Sequence, residues 1–192
     1  MNAEQVIDQF RKTGALLEGH FQLSSGLHST VYLQCALVLQ FPENAEAFGK
    51  AIAEKFQGQG IQLVASPAIG GIVIGHEVAR ALGARFVWTE REAGQMTLRR
   101  GFPIAPGEKT LIVEDVITTG GSTRDTIDAV RRAGAEVVGA ASIIDRSGAT
   151  ADVGVPLSPL ASLRVLSVES SACDACKLGE PVTKPGSRKA AP

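Results

Sequence analysis

The 192 residues carry a formal net charge of −1, with 44% apolar, 20% charged and only 5% aromatic side chains. A chain of this length holds one ordinary domain with a mainly aliphatic core, and its near-neutral balance excludes a protein that clings non-specifically to nucleic acid. No apolar run approaches the roughly 18 residues of a membrane span, and the opening MNAEQVIDQFRK lacks the basic end and apolar centre of a secretion signal, so a soluble cytoplasmic protein with no membrane partner is expected.

Val6, Ile7 and Phe10 recur at helical spacing within residues 3–13, with Gly14 as the stop. From Ala15 to Gln40 the pattern is short, broken by Gly and Ser, and β-like, with FQLSS and TVYLQ as strands. Pro42 to Phe56 reads as a helix with Ala45, Phe48, Ile52 and Phe56 on one face. These residues, 1–60, form an expected N-terminal cap or hood.

A different rhythm starts at Ile61. The apolar run IQLVASP leads through Gly70 and Gly71 into the helical GIVIGHEVARALG, followed by the strand ARFVWTE. After a polar stretch from Arg91 to Lys109 come the strand TLIVEDV, a small-residue turn, the helix DTIDAVRRAGA and the strand EVVGAASIIDR. LRVLSVES is a last strand. Apolar runs alternating with helices predict an α/β fold with a mostly parallel central sheet covered on both faces, spanning residues 61–170. The remaining residues, 171–192, form a tail rich in Pro, Gly and basic residues from Lys177 onward, which is expected to be mobile. The whole is read as one domain, 1–192.

The chemistry concentrates in Leu111–Thr123, LIVEDVITTGGST. An aliphatic strand ends in two adjacent carboxylates, Glu114 and Asp115, then turns through small hydroxylated residues and glycines into a helix. Parallel sheets hold ligands beyond the carboxyl ends of their strands. Gly120 and Gly121 let successive N–H groups converge, and the following helix N-terminus adds positive partial charge, which suits a phosphate monoester. The lysine of a nucleotide-binding GK[ST] loop is absent. The two acids would repel a phosphate alone, but they fit sugar hydroxyls or a magnesium shell beside it, so the segment suggests a ribose 5-phosphate. The plainer alternative is a strand end followed by a helix-capping turn.

VEDVITTGGST closely resembles the 5-phosphoribosyl 1-diphosphate (PRPP) motif of the type I phosphoribosyltransferases. Over roughly residues 5–185, from GALLEGHFQLSSGLHS to DRSG, the chain is similar to the bacterial orotate-specific members of that family. The resemblance implies the family fold, with a small hood from the N-terminal segment and tail, and transfer of ribose 5-phosphate from PRPP to orotate in pyrimidine biosynthesis. It implies that Glu114 and Asp115 contact the ribose hydroxyls and the Mg2+ shell, with Asp115 reaching the metal through water and PRPP. Val116, Ile117, Thr118, Thr119, Gly120, Gly121, Ser122 and Thr123 complete the PRPP site. Ala68, Ile69 and Gly70, in the turn Ser66–Gly71, approach the diphosphate. Arg146 and Thr118 are matched to orotate contacts, and Tyr32 to an aromatic wall. A homodimer, with a mobile loop reaching the neighbouring site, is also implied.

The departures lie among the basic residues. Ser24 and His28 stand where some members carry a lysine, and Gly70 stands where many place one after the Pro-Ala pair. The expected catalytic loop is EREAGQMTLRRGF, which offers Arg91, Arg99 and Arg100. Of these, Arg91 and Arg99 are read with Glu114 and Asp115 as catalytic. Arginine can screen diphosphate charge but is a poor proton donor, and MTLRRGF alternatively forms a paired strand with surface charges. Cys173 and Cys176 form a CxxC that cannot close a four-ligand zinc site alone. His20, His28 and His76 lack metal-ligand spacing in the sequence. Other readings left open are a transferase for a different nucleobase and a nucleotide-sensing regulator of the same fold.

Overall fold

In the computed structural model the described residues are 1–23 and 25–185; Ser24 and the end of the tail lie outside them. Helix α1 (Ala3–Lys12) starts where Asn2 and Gln5 satisfy each other's backbone N–H groups, each at 2.9 Å. It buries Val6 and Phe10 completely and is followed by Gly14 at φ +66°. The antiparallel hairpin of β1 (Leu16–Gln22) and β2 (His28–Leu33) comes next. A short helix that the sequence pattern did not suggest, α2 (Cys35–Leu39), leads to α3 (Pro42–Glu54), whose proline at the first turn needs no N–H partner.

The second rhythm is a six-stranded sheet. In chain order it comprises β3 (Leu63–Pro67), helix α4 (Gly71–Leu82), β4 (Arg85–Glu92), β5 (Gln95–Leu98), β6 (Lys109–Ile117), helix α5 (Gly121–Arg132), β7 (Glu136–Asp145) and β8 (Leu157–Ser162). The spatial order is β5-β4-β3-β6-β7-β8, parallel except for β5. Alternate side chains divide between two apolar layers. Val64, Leu111, Val113 and Ala141 pack with α1, α3 and α4, whereas Leu63, Ala65, Ile112 and Ala140 pack with Ile127 and Val130 of α5. Because β3 leads outward to β4 and β6 leads the opposite way to β7, the chain reverses direction between β3 and β6. Ligands bind at such a crevice.

Four strands differ from expectation: β1 starts earlier than FQLSS, of which only Phe21 and Gln22 belong to it. MTLRRGF does contribute a paired strand, β5, at the antiparallel edge. The sheet ends on β8, whose Pro159 disguises it in the sequence; an edge strand tolerates that proline. Of LRVLSVES only β9 (Ser167–Val168) is strand, and it joins β2 in a second sheet ordered β1-β2-β9. After β9, one 3-10 turn (Ser170–Ala172) and α6 (Asp174–Lys177) bring the chain back along β1, where the Thr183 N–H donates to the His20 carbonyl at 2.8 Å. This return corrects the view that the histidines lack ligand geometry: the fold gathers His20, His28, Cys173 and Cys176, which are scattered in sequence. His76 is exposed on α4. Among the described residues, no helix is long and apolar enough to cross a membrane.

Candidate active site

Strand β6 delivers Glu114 and Asp115 to the crevice between β3 and β6, and the chain then bends through Thr118–Gly120 into α5. Gly120 adopts φ +76°, and a Cβ there would lie 2.7 Å from Val153 Cγ1, so both conformation and space call for glycine. Arg124 braces the bend: its guanidinium donates to the Thr119 carbonyl at 3.0 Å and to the Asp152 carbonyl. The bend encloses a small cradle of about 80 Å³ bounded by Glu114 and residues 116–123. Free N–H groups of the first turn of α5 open onto it, an arrangement that favours an anion.

The carboxylates at its edge are held differently. Glu114 Oε2 accepts the Thr123 hydroxyl at 3.0 Å, and Asp115 Oδ1 accepts the Val116 N–H at 2.9 Å. Desolvation, reinforced by the charge of Asp115, pushes the Glu114 carboxyl up to about 8. Desolvation also raises Asp115, while hydrogen bonds from backbone N–H groups and the Cys35 thiol oppose that rise. Among the described residues, no basic side chain is one of the groups that hold either carboxyl. Two desolvated acids without a cation form a donor set suited to hydroxyl groups and to a hard divalent ion such as Mg2+.

A larger cleft of about 510 Å³ opens beside the cradle and is lined in part by Tyr32, Asp115, Thr118, Thr119 and Arg146. Its walls come from both sheets, with Leu23 and Leu27 near the β1–β2 connection and Val165 before β9. Arg146 is placed by its backbone, whose N–H donates to the Ile117 carbonyl at 2.8 Å. The preceding Asp145 accepts from the N–H groups of Ser147 and Ala149, which shapes the turn. Burial lowers the pKa of Arg146, and its Nε is buried with no hydrogen-bond partner among the described residues. A buried guanidinium N–H in that state needs an acceptor. Tyr32 packs at a tilt on Phe21 with ring centroids 5.9 Å apart, and desolvation raises its hydroxyl pKa despite Arg146 nearby.

The turn Pro67–Gly71 meets the same crevice from β3. Its Ala68–Ile69 peptide is cis, and the Ala68 N–H donates to the Thr89 carbonyl at 2.8 Å. Gly70 sits against Asp115. The two loop arginines stand apart from the linings of both cavities. Arg91, on β4, donates to Asp125 at 2.7 Å and to the Gly94 carbonyl at 2.6 Å. Arg99, just past β5, lies 3.7 Å from both Glu90 and Glu92, and Arg100 pairs with Glu90 at 2.7 Å. Arg124, Cys35 and Asp145 were not singled out by the sequence. An arginine four residues into a helix, a buried thiol and a strand-end aspartate carry no signal until the bend and its neighbours are assembled.

Comparison with known proteins agrees with this geometry. Residues 38–155 match the family model described as "Phosphoribosyl transferase domain". The chain is 52% identical over 189 residues to an orotate phosphoribosyltransferase of Pelotomaculum thermopropionicum, covering 98% of this chain and 100% of that protein. It is 50% identical to one of Desulforamulus reducens, covering 98% and 99%. Among solved structures, the orotate phosphoribosyltransferase of Aeropyrum pernix superposes with a TM-score of 0.69 at 26% identity, over 83% of this chain and 94% of that one. With a switch-point crevice, a phosphate-sized cradle and two acids at its rim, the chain belongs to the phosphoribosyltransferase family, among its orotate phosphoribosyltransferases.

Proposed function

We propose that the chain transfers the ribose 5-phosphate group of PRPP to orotate, releasing diphosphate and forming orotidine 5′-monophosphate, a step of pyrimidine biosynthesis. The observation that carries this reading is the meeting of Asp115, Thr118, Tyr32 and Arg146 on one cleft beside the cradle. The cradle suits the 5-phosphate, Glu114 and Asp115 suit the ribose hydroxyls, and the cleft suits a flat ring with a carboxylate.

Displacement at the anomeric carbon develops positive charge on the sugar ring and negative charge on diphosphate. The carboxylate of Asp115 stabilises the first, preorganised in a desolvated crevice. Glu114, which keeps its proton to about pH 8 in the ligand-free fold, adds charge only where its proton is displaced on binding. Arg146 supplies a forked donor that fixes an anionic ring in one orientation, and Tyr32 limits its tilt. Thr118–Ser122 hold the phosphate end, so both reactants share one register, and orientation supplies much of the rate. Ala68–Gly70 border the diphosphate. Mg2+, when bound, would neutralise diphosphate charge, with Asp115 holding it through water and PRPP.

Arg91 and Arg99 are assigned to the diphosphate end after rearrangement of the β4–β5 hairpin. Their present partners are carboxylates in solvent-screened ion pairs near the surface, which a diphosphate can replace. The working unit is taken to be a cytoplasmic homodimer in which that hairpin approaches the neighbouring site. A steady-state assay with PRPP and Mg2+ tests the function. Turnover of orotate in strong preference to adenine and hypoxanthine is expected; purine turnover without orotate turnover, or PRPP binding without product, contradicts it.

A further inference from the structure

Outside the crevice the fold assembles a group that the reaction does not use. His20 on β1 and His28 at the start of β2 are diagonal neighbours, because His28 pairs with Gln22, two residues beyond His20. Their rings lie 4.9 Å apart, with His20 Nε2 2.7 Å from His28 Nδ1. The returning tail sets Cys173 Sγ 3.5 Å from His20 Nε2, and Cys176 Sγ 3.5 Å from the same nitrogen and 3.2 Å from His28 Nδ1. All four donor atoms fall within 4.8 Å of one another, and both cysteines are free thiols.

We infer that His20, His28, Cys173 and Cys176 form a structural Zn2+ site that fastens the tail to the β1–β2 hairpin. A tetrahedral centre with zinc–sulfur bonds of about 2.3 Å and zinc–nitrogen bonds of about 2.0 Å separates a sulfur from a nitrogen by about 3.5 Å. Two of the three sulfur–nitrogen distances, both 3.5 Å, match that edge, and the third, 3.2 Å, is shorter than it. The nitrogen pair must open by roughly half an ångström to reach the about 3.3 Å of a regular tetrahedron.

The surroundings prepare the donors. The Glu180 carbonyl lies 3.0 Å from His20 Nδ1 and accepts its N–H, which leaves the Nε2 lone pair facing the thiols. His20, His28 and Cys173 are buried. Two neutral imidazoles and two soft sulfurs, with no carboxylate in the set, favour zinc over Mg2+ or Ca2+. As the metal sheds water and the two zinc–sulfur bonds form, both thiol protons leave to solvent; the resulting centre has no net charge, which suits burial.

The consequence reaches the cleft. Ser167, which precedes the knot, and Pro185, which follows it, both line the larger cavity. The same wall is tied to β1 by the Gln22 N–H, which donates to the Thr183 carbonyl at 2.9 Å, and by the Thr183 N–H, which donates to the His20 carbonyl at 2.8 Å. Zinc therefore acts as a positioning element for the tail side of the cleft, remote from the reacting atoms.

The test is metal content and Co2+ spectroscopy of the full chain, reduced and purified without chelator. About one zinc per chain is expected, with Co2+ replacing it to give thiolate charge-transfer bands and intense tetrahedral visible bands. Cys173→Ser with Cys176→Ser should abolish both signals, whereas Asp115→Asn should retain them. Chelation of the wild type should lower its melting temperature without unfolding the α/β core. Absence of stoichiometric zinc and of the thiolate–cobalt bands in wild-type protein with reduced cysteines overturns the inference. Retention of the metal by the double cysteine variant also overturns it. Should that variant fail to fold, the wild-type cobalt spectrum decides alone.

Discussion

Gly70 and Asp115 are in direct register across the crevice: a Cβ built on Gly70 would stand 2.7 Å from Asp115 Oδ2 and 2.8 Å from Oδ1. The backbone of Gly70 is ordinary right-handed helical, so alanine is excluded there by space and not by conformation. The turn from β3 and the carboxylate on β6 are thus fitted to each other. Gly70→Ala must push the Asp115 carboxylate from its place, and a displacement of about 1 Å at a reacting centre costs on the order of 100-fold in rate. Steady-state kinetics should show that loss, while the melting temperature changes little because Gly70 is exposed.

Asp115→Asn separates charge from shape. The amide oxygen can still accept the Val116 N–H, so the strand end keeps its bond. Removing the charge from a desolvated site leaves stability unchanged or raises it. Turnover should fall by about 100- to 1000-fold, as expected when a preorganised charge is lost from the transition state. Paired thermal melts and kcat measurements check both halves.

Arg146 predicts a different signature. Its buried Nε, without a partner among the described residues, implies an acceptor on the ligand, and hydrogen bonds to a charged group contribute about 1.5–3 kcal/mol. Arg146→Ala should raise the KM for orotate by roughly 10- to 100-fold, with a much smaller effect on the KM for PRPP. Arg146→Lys should recover little, because an ammonium cannot reproduce the fork.

The acids also set a pH dependence. Glu114 holds its proton to about pH 8 in the ligand-free fold, whereas a free glutamate ionises near pH 4.3. Between those values the unfolded chain gives up a proton that the folded chain keeps. The contribution of this group to folding stability is therefore complete below about pH 4.3, declines as pH rises and levels off above about 8. Asp115, raised by the same desolvation, adds in the same direction. Denaturant melts across that range should slope downward, and Glu114→Gln should flatten the slope.

Much of the α/β core was legible because its strands are buried on both faces and read as unbroken apolar runs: IQLVASP, TLIVEDV and EVVGAASIIDR correspond to β3, β6 and β7. β8 was hidden because an edge position accepts Pro159, and α2 because five residues are too few to show a helical period. The cradle was legible because Glu114–Thr123 is continuous in the chain. Arg124 acts by reaching to Asp152, and Cys35 by approaching Asp115, contacts made only by folding. The histidine–cysteine group was hidden for the same reason: Cys173 and His20 lie 153 residues apart, and only the pairing of β1 with β2 and the return of the tail unite them.

A crystal structure of the full chain with Mg2+, orotate and a non-hydrolysable PRPP analogue tests the central claim most directly. The 5-phosphate should lie in the bend of Thr118–Ser122, with the ribose hydroxyls on Glu114 and Asp115 and the pyrimidine between Tyr32 and Arg146. A sugar phosphate seated elsewhere, with that bend unoccupied or orotate away from Arg146, would contradict it.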